Sequence, residues 1–254
     1  MNFDVEIERM KVAVKAAEDE AVMAVMFHET WKPTAYDEDL HERMGESYAT
    51  QAFLIVRASL RRETLLALMR LWDTHEKAIG VQSIVRTLRD QQFFDALIAS
   101  RTDHLEGFLR LTLEEHLQGT LGEQLAKAEA LVYKYTKGGA CFDTFRKLLI
   151  LRGGRLAHRQ AAPAKAVGLD ATDQEIGSFY QDNLEIVRLL LSIRLRQQWR
   201  RNPKRSRSLG VLFFVQLFLI AFDLNGRGLP NQGLAWHEIQ AFAHASNMVR
   251  MPNQ

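Results

Sequence analysis

No proline interrupts residues 34 to 162. Within that span apolar residues return every three or four positions, which is the period of a helix face and not of a strand. In Ser47 to Trp72 the series Phe53, Val56, Leu60, Thr64, Ala67 and Leu71 forms one such stripe, while Arg57, Arg61 and Arg62 fall elsewhere. The spacing predicts a core-facing helix with a solvated back. A helix over Val5 to Trp31 precedes it and is expected to stop before Pro33, because the residue ahead of a proline is driven out of helical geometry. The connection through Gly45 is expected to be a loop.

Gly80 separates the helix of Ser47 to Trp72 from a short periodic piece, Val81 to Leu88, after which Gln91 to Tyr135 predicts one long helix or two, with Gly119 and Gly122 as the expected interruption. Gly138 and Gly139 end that pattern, and Phe142 to Leu151 restarts it. Thr172 followed three residues later by Glu175 has capping-box spacing and opens a helix expected to reach about Trp199. There is no alternating strand pattern of useful length and no internal repeat. The expected fold class is all-α, a helical bundle over residues 1–201 with a C-terminal helical appendage.

Composition sharpens this. Among 254 residues, 33 bases against 31 acids leave a net charge of +2, too small to imply nucleic-acid binding by bulk charge. The distribution is uneven: residues 1 to 46 hold twelve acids and five bases, so the basic surface lies further on. Arg188 to Arg207 carries eight bases and no acid, and with Pro203 and its serines it reads as a linker, placing a boundary near 202. Beyond it, in residues 202–254, Leu209 to Phe222 is an apolar run of fourteen residues. As a helix it spans about 21 Å at roughly 1.5 Å per residue, short of the roughly 30 Å hydrocarbon core. A buried or partner-covered helix is therefore expected there ahead of a membrane contact. The single cysteine, Cys141, can form no internal disulfide and no CxxC pair. With an amino terminus lacking a basic start and apolar stretch, this predicts a cytoplasmic protein.

Most familiar chemistries find no support. His28, His41, His75 and His237 each precede a glutamate, but none makes HExxH, and His237 and His244 are seven apart. Asp223, Asn225 and Gly226 lack the later glutamate of a calcium loop. No Gly-rich phosphate loop or GxSxG elbow occurs, so neither metal nor cofactor is expected.

The segment Phe145 to Gln160, FRKLLILRGGRLAHRQ, stands apart. It holds Arg146, Lys147, Arg152, Arg155, Arg159 and His158 with no acid of its own. An arginine can hold a phosphodiester and stabilise charge at its transition state, and a histidine near neutral pKa can move the proton of a ribose 2′-hydroxyl. That pair suffices for metal-free RNA cleavage. In an unbroken helix Arg152 and His158 would diverge by about 120° at roughly 100° per residue. Gly153 and Gly154 allow a bend between them, and a second copy across a two-fold axis would double the site.

Arg152, five intervening residues and His158, with the wording RLAHR at Arg155 to Arg159, resemble the Arg, four to six residues, His motif of the HEPN superfamily. The apolar helix ending in Leu71-Trp72-Asp73 and SIVRTL at Ser83 to Leu88 make the wider stretch similar to its AbiU2-like branch. The resemblance covers roughly residues 10 to 195. It implies a helical homodimer whose two motifs meet in a cleft, acting as a metal-independent endoribonuclease in bacterial phage defence or a toxin–antitoxin pair. Arg152 and His158 are then catalytic, Arg155, Arg159, Arg146 and Lys147 contact RNA, and an antitoxin or other protein is a candidate partner. The chain departs from the motif at Gly153, where a polar residue usually follows the arginine. The rival from another class is a catalytically silent module that binds RNA or a protein partner; a metal hydrolase built from scattered histidines ranks well behind.

Overall fold

The computed structural model describes residues 3–45, 48–75, 80–153 and 171–195. All belong to one compact unit, Met1–Arg201. His158, Arg155 and Arg159, the basic linker, the apolar run and the residues beyond it lie outside the described residues. Those that are described form helices only: α1 (Phe3–Tyr36), α2 (Glu38–Met44), α3 (Tyr48–Arg70), α4 (Val81–Arg89), α5 (Gln91–Thr102), α6 (Gly107–Lys134), α7 (Phe142–Leu151) and α8 (Asp173–Leu195). The chain is all-α, as the spacing predicts.

Four long helices make the frame. α1 runs antiparallel to α3, with Arg70 on Glu20 at 2.7 Å and an Nη of Arg57 donating to the Ala35 carbonyl at 3.5 Å. It is antiparallel to α8 as well, where Tyr180 donates to Glu29 at 3.3 Å and stacks on His28 at 3.9 Å between ring centroids. α6 packs antiparallel to α8: Lys134 and Tyr135 both bond Asp182, at 2.5 and 2.6 Å, and Ser192 bonds Gln124 at 2.8 Å. Burial and the Asp182 carboxylate together push the Tyr135 hydroxyl's pKa far up, so it stays a donor. The core that these helices share includes Leu68, Leu71, Leu121, Phe179 and Ile186, each almost wholly shielded from solvent.

Two boundaries and one buried stripe differ from expectation. α1 does not stop before Pro33 but carries it inside its last turn. An interior proline removes one amide donor and costs about 3 kcal/mol. Here Thr34 Oγ1 donates to the Trp31 carbonyl at 2.5 Å, and packing on α3 continues through the turn, with Trp31 and Ala35 buried. Gly119 and Gly122 do not break α6, which passes through both; the break falls at 103–106, and Gly107 restarts the chain with φ of +59°. The stripe on α3 is buried only from Thr64 onward, and Val56 stands 53% exposed.

The link expected to be a loop through Gly45 also holds a short helix, α2, ahead of that glycine. α4 and α7 occupy the predicted spans, and the capping box closes α8: the Thr172 amide donates to Glu175 at 2.7 Å, and the Glu175 amide to Thr172 Oγ1 at 3.1 Å. The turn after α6 requires its glycine. A Cβ on Gly139 would lie 2.1 Å from the Tyr133 carbonyl oxygen, a backbone atom that cannot yield.

Candidate functional site

Arg152 lies four residues after Leu148 and seven after Phe145, so all three share one face of α7 and of the turn that extends it. Phe145 and Leu148 are buried, Phe145 against Trp72 at 5.0 Å and Phe179 at 6.2 Å between ring centroids. The same face therefore aims Arg152 inward, at the end of α3. Its backbone stays helical (φ −56°, ψ −54°), and its amide bonds the carbonyls of Leu148 and Leu149. The expected bend is not at Arg152 itself. A Cβ placed on Gly153 would meet nothing within 4 Å among the described residues, so their packing does not demand glycine there.

The partner that Arg152 meets is Asp73, its Nη2 lying 3.2 Å from Oδ2. Asp73 is held on both sides. Before it, Trp72 is buried among Tyr135, Phe145 and Phe179, and its Nε1 donates to the buried Asn183 Oδ1 at 2.6 Å. After it, the His75 amide donates to Oδ1 at 3.0 Å, and Gly80 returns so close that a Cβ there would lie 2.5 Å from the Asp73 carbonyl oxygen. The His75 amide and then the Arg152 guanidinium hold the Asp73 carboxyl below the usual carboxylate range, so it is an anion at neutral pH. Asp73 is the residue that sequence reasoning missed. It stands in the Leu71-Trp72-Asp73 wording, but nothing in its spacing announces a partner 79 positions away.

The other described cations of the segment also have acids, supplied from outside it. Lys147 Nζ lies 2.7 Å from Glu175, whose pKa is lowered to about 2 by Lys147 first and then by the Thr172 amide. Arg146 is 61% exposed and sits 3.5 Å from Asp143. Lys147 thus serves the capping box of α8, whereas Arg146 faces solvent.

A pocket of about 450 Å³ adjoins this region. Trp31 and Tyr36 of α1, with Arg57, Arg61 and Arg62 of α3, line one side, and Leu151, the residue before Arg152, lines it too. Arg57 and Arg61 are half-buried here, not on a solvated back.

A family model of AbiU2 proteins in the HEPN group matches residues 7–203, most of the chain and all of the segment around Arg152 and His158. The chain belongs to the HEPN AbiU2 family. No curated protein matches it, and neither does any solved structure. In this AbiU2 protein no described helix is long and apolar enough to cross a membrane, and the described residues hold no cluster of three or more His, Cys, Asp or Glu able to grip a metal.

Proposed function

We propose that this AbiU2 protein is a metal-independent endoribonuclease of a bacterial phage-defence or toxin–antitoxin system, working as a homodimer with two motifs facing one cleft. The single observation that supports the reading most is the Asp73–Arg152 pair: an anchored carboxylate fixes the direction of the motif arginine, and the residue before it, Leu151, lines a cationic pocket. A guanidinium has five N–H donors in a rigid fork, and this pair uses one of them.

In the proposed reaction Arg152 holds the scissile phosphate and stabilises the charge that builds on its oxygens. His158 takes the proton of the ribose 2′-hydroxyl. The 2′-oxygen attacks phosphorus and the 5′-oxygen of the next nucleotide leaves with a proton, giving a 2′,3′-cyclic phosphate and a 5′-hydroxyl end. Asp73 is a positioning residue. Arg146, Arg155 and Arg159 are assigned to the RNA backbone as phosphate contacts, with Lys147 secondary because Glu175 holds it.

The test is cleavage of a labelled RNA in EDTA. Arg152→Ala and His158→Ala should each slow it about 100-fold or more while purifying like the parent, and the products should carry cyclic phosphate ends. Parent-rate cleavage by His158→Ala would favour the silent interaction module instead.

A further inference from the structure

The pocket beside Arg152 is more cationic and more aromatic than a structural crevice requires. Three arginines from two successive turns of α3 face one acid, Asp173. Arg61 lies 5.9 Å from the centre of the Trp31 ring and 2.5 Å from Asp173, yet its buried Nε has no hydrogen-bond acceptor among the described residues. A buried donor left without a partner is costly, and an incoming anion that draws the guanidinium off Asp173 would supply one. Arg62 is exposed and has no acidic partner among the described residues. Tyr36, 57% exposed, stands edge-on to Trp31 at 5.6 Å, offering its ring to solvent. It reaches this position only because α1 continues through Pro33.

We propose that this pocket is a subsite for one unpaired nucleotide of an RNA strand, its phosphate on Arg57, Arg61 and Arg62 and its base against Tyr36 and the Arg61 plane. Aromatic rings and arginine planes accept any base face, while arginines hold the phosphate as a bidentate anion. The volume of about 450 Å³ falls within the range of pockets that take a small ligand. Leu151, which precedes Arg152 in the chain, lines the pocket, and on this proposal a nucleotide seated here flanks the phosphate held by the motif. As a flanking subsite the inference rests on the ribonuclease reading; as a strand-binding pocket it does not.

The experiment measures binding of the full chain to a short fluorescent 2′-O-methyl RNA, which cannot be cleaved through its 2′-oxygen, alongside cleavage of the unmodified strand. Arg62→Ala and Tyr36→Ala both change exposed side chains and should leave thermal unfolding unaltered. Tyr36→Ala should weaken single-strand binding about ten-fold, and Arg62→Ala should lower the slope of log affinity against log salt by about 0.7. Duplex RNA should be affected less. If both variants bind the single strand within about two-fold of the parent, the subsite is overturned. It is also overturned if free nucleoside monophosphates saturate the pocket while these variants leave strand binding unchanged, because the pocket then belongs to a free nucleotide. If His158→Ala cleaves at the parent rate while Tyr36→Ala and Arg62→Ala lose strand binding, the ribonuclease reading fails and the strand-binding pocket stands.

Discussion

The carboxylate of Asp73 and the guanidinium of Arg152 meet across 3.2 Å, joining the residue that closes the end of α3 to the turn that closes α7. The two side chains are 32% and 30% exposed, so the pair bridges the aromatic core and the solvent. An ion pair so placed contributes well under about 1 kcal/mol to folding. Its value lies in direction: it fixes where the arginine points.

Asp73→Asn should therefore separate activity from stability. Thermal unfolding should change by less than about 1 kcal/mol-equivalent, while RNA cleavage falls about ten-fold or more through a misdirected guanidinium. Parallel measurement of melting temperature and initial rate checks this; an unchanged rate would remove the positioning role.

Glu175 sets an acid limit on α8. Its pKa is lowered to about 2 in the fold from an ordinary value near 4.5, so the stability it confers is fully present above about pH 4.5. It is lost as pH falls from there towards 2. Denaturant unfolding across that range should show a steeper fall for the parent than for Glu175→Gln, whose profile lacks this contribution.

Two glycine replacements should move stability in opposite directions. Gly139→Ala drives a Cβ into the Tyr133 carbonyl and should cost about 3 kcal/mol or more. Gly119→Ala, in a helix where nothing lies within 4 Å of the new atom, should gain roughly 0.5–1 kcal/mol. Calorimetry of both reads the difference directly.

Trp72→Phe keeps the aromatic packing but strips the donor from the buried Asn183 oxygen. The loss should be about 1–3 kcal/mol, seen as a lower unfolding midpoint at an unchanged denaturant slope.

Local signals in this chain were legible where the chemistry is local. The Thr172–Glu175 box and the bounds of α7 follow from neighbours within a few residues, and the structure places both as expected. Pro33, Gly119 and Gly122 misled because single-residue preferences of about 1 to 3 kcal/mol yield to packing between long helices. At the site, Arg152 was legible as a motif residue, but Asp73 and the pocket arginines were not. Their meaning depends on which helices lie side by side, which periodicity within one helix does not state. The apolar stripe on α3 placed Arg57 and Arg61 on a wet face, whereas the end of α1 covers that face with Trp31 and leaves a pocket. His158 and its neighbours lie outside the described residues.

Among the described residues nothing lies within 4 Å of a Cβ placed on Gly153. Since no described neighbour occupies the volume a side chain would take, an asparagine or aspartate grafted there changes the functional groups at the end of α7 without displacing any described side chain. Under the ribonuclease reading, the chemistry at this turn could thus be altered, by selection or by design, one codon at a time while the described helices keep their packing.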